Sequence, residues 1–193
     1  MIIGENSWHS GITEDMGMYE IDYRHFYTYK NMPHNLYESL SQSVKENPSQ
    51  IAFVDNDKEE YTYLEFQELV DKMAGVLKYK YHIVRGQHIG LLLYTDIDFC
   101  ICFYAIAKLG AVCVPLPTKY RQQEIAALVD KAYLDLLIYN EDFKSWIRKE
   151  KYQTIELSHC FQKYALEKYL GTHALMTTND GQLEDEVILM FTS

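Results

Sequence analysis

Basic residues are scarce in this chain. Lysine and arginine number 18 against 28 aspartates and glutamates, a formal net charge of −10 over 193 residues. A nucleic-acid binder needs a basic face to displace counterions from phosphates, so this balance argues against that class. It argues equally against a surface that docks on anionic lipid. Long apolar runs are also missing. No stretch reaches the ~20 residues that span a bilayer. The most apolar region, Phe99–Leu109, contains Lys108 and follows Asp96 and Asp98. The first residues, MIIGENSWHSGITED, have neither a basic start nor a long apolar centre, so they do not read as a secretory signal. The expected location is the cytoplasm.

Cysteine is sparse and badly spaced for metal. Cys100, Cys102, Cys113 and Cys160 form no C-x-x-C or Cys/His ligand pattern. Buried free thiols are expected instead, and no metal site is assigned. The seven histidines are scattered. Glycine is thin as well: Gly86, Gly90 and Gly110 do not make a glycine-rich loop, which argues against a flavodoxin-like nucleotide binder. No internal repeat is visible.

What is present is an alternation of strand and helix patterns. Residues 1–34 lack a clear period but carry Tyr19, Tyr23, Tyr27 and Tyr29, too aromatic for a disordered tail. They are expected to pack as an N-terminal arm. Asn35 can cap a helix bearing Leu36, Leu40 and Val44, with Pro48 after its end. Ile51–Val54 and Tyr61–Tyr63 read as a hairpin around Asp55-Asn56-Asp57. Thr62 and Glu65 form a capping box for a helix with Phe66, Leu69, Val70, Met73, Ala74 and Leu77 along one stripe. Arg85-Gly86 turns the chain into a buried strand, Ile89–Tyr94. Thr95 is expected to cap the next helix, with Asp98 set against its dipole. Gly110 ends that helix, and Ala111–Pro115 is another buried strand. Ile125, Leu128, Val129 and Ala132 mark a helix, Leu134–Tyr139 a strand, and Glu141–Glu150 a short helix with Trp146 and Ile147 inward. Thr154–Leu157 reads as a strand and Ser158–Leu170 as a helix. Gly171–Glu186 is polar, carries an Asp180-Gly181 turn signal and reads as a flexible linker. Val187–Met190 has the character of a buried strand, and Phe191-Thr192-Ser193 follows it.

This order implies an α/β fold: a three-layer domain with a largely parallel central sheet flanked by helices. Ligands in such sheets bind beyond the C-terminal ends of the strands. Thr95, Pro117–Tyr120 and Thr192–Ser193 all fall just past such ends. A strand running into Thr-Ser is how many phosphate-binding loops begin.

Four segments together resemble the adenylate-forming (AMP-binding) enzymes, a superfamily that includes acyl-CoA synthetases and peptide-synthetase adenylation domains. They are TYLEFQELVDKMAGVL, the stretch IGLLLYTDIDFCICFYAIAKLGAVCVPL, TKYRQQEIAALVDKAYLDLLI, and EDEVILMFTS. KLGAVCVPL is the most specific piece. The resemblance covers residues 35–193, and the PLPTKYR wording leans toward acyl-CoA synthetases of the fatty-acid-CoA ligase type. It implies a two-step reaction in which a carboxylate attacks the α-phosphate of Mg-ATP and a thiol, usually coenzyme A, then takes the acyl group. It also implies that Thr192 and Ser193 open the phosphate loop, Thr-Ser-Gly-(Ser/Thr)-Thr-Gly, and help hold ATP phosphates. Residues 35–193 would then be the first α/β subdomain of an AMP-binding domain, truncated where that loop starts. No catalytic residue is assigned within the chain. ATP, magnesium, coenzyme A and a carboxylic acid would be ligands of a longer parent, and the 193 residues alone are expected to be inactive. A truncated sheet could expose apolar edges and self-associate.

Plainer readings stand beside these. Lys119 and Arg121 could steer anions, but solvated positions at a helix start account for them. Asp96 and Asp98 read as helix-start residues rather than an acid–base pair, and His88 as structural. The competing class is a non-catalytic α/β binding module; a peptide-synthetase adenylation domain is the alternative within the family.

Overall fold

In the computed structural model, residues 14–21, 23–55, 59–148, 151–157 and 177–191 are described. The chain divides into two compact units, Met1–His34 and Asn35–Ser193.

In the first unit, β1 (Met16–Ile21) and β2 (Arg24–Tyr29) pair antiparallel, from Met16 opposite Tyr29 to Ile21 opposite Arg24. Tyr23 carries the reversal at φ 62°. The Tyr19 hydroxyl donates to the Lys30 carbonyl at 2.6 Å. This hairpin escapes sequence reading because its turn has no Asn-Gly or Asp-Gly signal.

In the second unit, α1 (Leu36–Glu46) is capped by Asn35, whose Oδ1 accepts from the Glu38 amide at 2.9 Å. A hairpin of β3 (Ile51–Val54) and β4 (Glu60–Thr62) follows. The capping box forms as expected: Thr62 Oγ1 accepts from Glu65 N at 3.2 Å, and Glu65 Oε2 accepts from Thr62 N at 2.9 Å. It starts α2 (Tyr63–Gly75), which continues as one π-type turn over Val76–Lys80. Then come β5 (His88–Leu92), α3 (Ile97–Lys108), β6 (Val112–Pro115), α4 (Gln122–Ala132), β7 (Leu136–Asn140), a 3-10 turn at Glu141–Trp146 and β8 (Gln153–Leu157).

The four-stranded sheet has the order β6-β5-β7-β8, with every pair parallel. Side chains alternate across it with the strand period. Ile89, Leu91, Cys113 and Ile138 meet α1, α2 and α3 on one face. Leu92, Val114, Leu137 and Tyr139 meet α4 and Phe143 on the other. This is the expected three-layer α/β arrangement. His88 is structural: its Nδ1 lies 2.7 Å from the Ala132 carbonyl, and its amide donates to Asp135 at 2.8 Å.

Two local expectations change. Asp96, not Thr95, caps α3: its backbone is extended and its Oδ1 accepts from Phe99 N at 3.2 Å. The helical pattern after β7 stops at Trp146, and Phe143 is its buried residue, while Trp146 and Ile147 pack half-buried on the same cluster. The helix expected at Ser158–Leu170 lies outside the described residues.

Candidate functional site

The loops after β5 and β6 lead to helices on opposite faces of the sheet. That divergence opens a crevice at the C-terminal ends of the two strands. A depression of about 270 Å³ lies there, lined by Leu93, Thr95, Phe99, Leu116, Pro117, Thr118 and Lys119. Thr95 and Pro117–Lys119, expected near a ligand from their positions past strand ends, are thus brought together. Tyr120 departs from the group and packs half-buried on the α4 side of the core. Arg121 occupies the cap position of α4, where its amide donates to Glu124 at 2.8 Å. The depression combines two hydroxyls and one exposed ammonium with an apolar lining.

The β5 loop is splinted from β7. Asn140 is 2% exposed, and its Oδ1 accepts from the Tyr94 amide at 2.8 Å. The Tyr94 hydroxyl donates to Asp142 at 3.3 Å, and its ring lies 5.4 Å from that of Phe143. Burial, the Asp142 charge and this hydrogen bond together raise the Tyr94 pKa. The sequence signal for Asn140 is faint: a polar residue ending the apolar run Leu136–Tyr139.

Asp98 sits in the first turn of α3, close to Asp96 and Asp55. Burial first, then those two charges, pushes its carboxyl up to about 7. The helix N-terminus opposes this only in part. With a folded pKa above the unfolded 3.8, ionised Asp98 lowers stability progressively from about pH 4 to pH 7. Asp98→Asn is expected to be more stable than the parent by about 1–2 kcal/mol at pH 8, after allowing for solvent screening. The gain should vanish near pH 4. Urea midpoints at the two pH values test this, and a gap independent of pH would sink it.

Val187–Met190 does not form the buried strand expected. It lies along the outer edge of β6 through a single parallel bridge, Ile188 to Cys113. Cys113 N donates to Val187 O at 2.9 Å and Leu189 N to Cys113 O at 2.8 Å. An edge position buries one side only: Leu189 and Phe191 pack half-buried on the α4 side, while Ile188 and Met190 are 45% and 67% exposed. Thr192 and Ser193, the residues expected to meet ATP phosphates, lie outside the described residues.

The described part of the expected linker, 177–186, is bound to the domain. Asp180 N and Gly181 N donate to the Lys108 carbonyl at 2.9 and 3.2 Å. Lys78 pairs with Asp180 at 2.5 Å, and Arg85 Nε donates to Asp185 at 2.6 Å. Burial alone would raise the Asp180 pKa; hydrogen bonds from Lys78 and Thr178 outweigh it and hold the carboxyl below its ordinary value. Polar composition suggests a free linker because the partners are 100 or so residues away in sequence.

Cys100 is half-buried; Cys102 and Cys113 are buried free thiols, and burial raises Cys113 to about 12. Among the described residues no group of three or more His, Cys, Asp or Glu side chains is arranged to hold a metal ion. Among them, too, no helix is long and apolar enough to cross a membrane.

Comparison with known proteins fits this architecture. The chain is 31% identical over 101 residues to a long-chain-fatty-acid–CoA ligase, FadD13, of Mycobacterium tuberculosis; the match covers 52% of this chain and 20% of the relative. It is 25% identical over 136 residues to a linear gramicidin synthase polypeptide of Brevibacillus parabrevis, covering 70% of this chain and 2% of that protein. The aligned stretches therefore span a small part of these relatives' length. Among solved structures, the N-terminal domain of FACL13 from Mycobacterium tuberculosis superposes with a TM-score of 0.67 at 23% identity, over 82% of this chain and 42% of that one. The N-terminal subdomain of Klebsiella oxytoca NpsA, bound to 3-hydroxybenzoyl-AMSN, gives 0.71 at 16%, over 86% and 40%. The family model described as AMP-binding enzyme matches residues 40–193. The β5-α3-β6-α4-β7 frame thus carries a family pattern across most of its length, and the chain belongs to the AMP-binding enzymes.

Proposed function

We propose that this chain serves an ATP-dependent acid–thiol ligase that activates a carboxylate as an acyl-adenylate and passes the acyl group to coenzyme A. Within it, residues 35–193 are the α/β subdomain that presents the phosphate loop, and Thr192 and Ser193 contribute hydroxyls to ATP phosphates. The observation that supports this reading is the course of 187–191: it runs parallel to β6 toward the end of the sheet where ligands bind. The chemistry needs little from the scaffold beyond positioning and charge neutralisation. Coenzyme A is favoured as acceptor by PLPTKYR after β6 and by the similarity to a fatty-acid–CoA ligase. The similarity to a gramicidin synthase supports a second reading, transfer to a carrier-protein thiol.

ATP–pyrophosphate exchange dependent on added carboxylic acid tests the first step in the full product of the gene carrying this sequence. The double change Thr192→Ala with Ser193→Ala should slow exchange on the order of 10²-fold, the scale of losing a preorganised donor to developing charge. Absence of exchange across short, medium, long-chain and aromatic acids would refute the reading. Release of AMP on adding coenzyme A, against a pantetheinylated carrier, separates the two acceptors. The isolated 193-residue chain is expected to give no exchange.

A further inference from the structure

The segment 187–191 is weakly held for something that must end in a defined place. Two backbone hydrogen bonds join it to β6, worth about 1 kcal/mol each. A slip of one residue would turn Ile188 and Met190 inward and Leu189 and Phe191 outward. All four are apolar, so side-chain pattern discriminates poorly between the registers. Something else must fix the register, and the preceding ten residues are bound well enough to do so.

Those contacts converge on one point. The Schellman end of α3 uses Ala111 N to Ile106 O at 3.2 Å and Gly110 N to Ala107 O at 3.1 Å. The remaining Lys108 carbonyl is capped by Asp180 N and Gly181 N. Asn35 caps α1 with its oxygen and donates its Nδ2 to Gly181 O and to Asn179 Oδ1, both at 2.9 Å. At Gly181 a Cβ would stand 2.6 Å from the Ala107 carbonyl and 2.7 Å from Asn35 Nδ2, so only glycine fits without movement. Asp180 and Asp185 then tie the segment to Lys78 and Arg85 on either side of this crossing.

We propose that 177–186 is a latch that sets the register of 187–191 on β6, making Asn35, Asp180, Gly181 and Asp185 positioning residues for Thr192-Ser193. The positioning part rests on the reading of those two residues as phosphate contacts. The latch itself does not.

Hydrogen exchange on the 193-residue chain without nucleotide tests the latch. Asn35→Asp keeps the oxygen that caps α1 but replaces the donor facing Gly181 O and Asn179 Oδ1 with a second oxygen. It should speed exchange over 187–191 about tenfold while amides of β5 and β7 stay unchanged, a local opening. Lys78→Met should do the same, and Lys78→Arg should restore protection. Unchanged exchange at 187–191, acceleration spread evenly over the sheet, or failure of Lys78→Arg to rescue would each overturn the latch. In the exchange assay on the full gene product, Asn35→Asp should raise the KM for ATP about tenfold with the KM for the carboxylate unchanged. Local opening with an unaltered KM for ATP overturns the positioning role. Local opening in a protein whose parent form shows no carboxylate-dependent exchange at all overturns the ligase reading instead and leaves the latch standing.

Discussion

Lys108→Ala is expected to destabilise the α/β unit by about 3 kcal/mol or more, the range found when one partner of a buried ion pair is removed. Lys108 is 2% exposed. Its Nζ lies 2.7 Å from Asp71 Oδ1, 3.1 Å from the Tyr37 hydroxyl and 4.2 Å from the centre of the Tyr37 ring. The Tyr37 hydroxyl also donates to Asp71 at 2.6 Å. Burial, then the hydrogen bond to Asp71 and its charge, raises the Tyr37 pKa, so the phenol stays neutral. Removing the ammonium leaves the Asp71 carboxylate with Tyr37 alone and opens a cavity at the α1-α2-α3 junction. Asp71 keeps some water contact at 24% side-chain exposure, which places the loss at the lower end of the range. For a domain of this size it corresponds to a fall in Tm of roughly 6–12 °C. Lys108→Met with Asp71→Leu should recover most of the loss, because replacing both partners removes the unpaired charge. A urea series on the two single variants and the double variant measures the coupling. A loss under about 1 kcal/mol for Lys108→Ala would show the pair to behave as a surface one.

Gly110→Ala should cost about 2–3 kcal/mol, from backbone strain and crowding together. Gly110 has φ +65°, and an added Cβ would stand 2.7 Å from Asp185 Oδ2, 3.0 Å from Arg85 Cγ and 3.3 Å from Gly181 Cα. The two side chains can yield, at the expense of their ion pair; the Gly181 backbone yields less easily. Gly86 is the internal control: its φ is +81° but nothing lies within 4 Å of the added Cβ. Gly86→Ala should therefore lose only the conformational part, about 1–2 kcal/mol. Equal losses at the two sites, by chemical denaturation, would mean that crowding at the α3 end contributes nothing.

Much of the frame was legible in local chemistry. Thr62 and Glu65 start α2 because each side chain can satisfy the other's backbone amide, which needs only residues three apart. The runs Ile89–Leu92, Val112–Val114 and Leu136–Tyr139 are apolar on both faces because both faces of a parallel sheet are covered. Gly110 had to end α3. The cap of α3 falls one residue later than the sequence suggests because Thr95 and Asp96 are both good caps, and the choice depends on where the β5 loop is held by Asn140.

By itself the sequence determined the α/β class, the alternation of elements and the family pattern, since these rest on periodicity, caps and spacing within short windows. Only the tertiary structure decided which polar residues act together. Lys108 reads as the single charge in an apolar helix; folding brings Tyr37 and Asp71 to it across 71 and 37 residues. The 177–186 segment reads as a linker; folding presents it with the open carbonyl end of α3 and two cations. Partners of this kind are chosen by where helix ends and strand edges come to lie, and no local pattern encodes that.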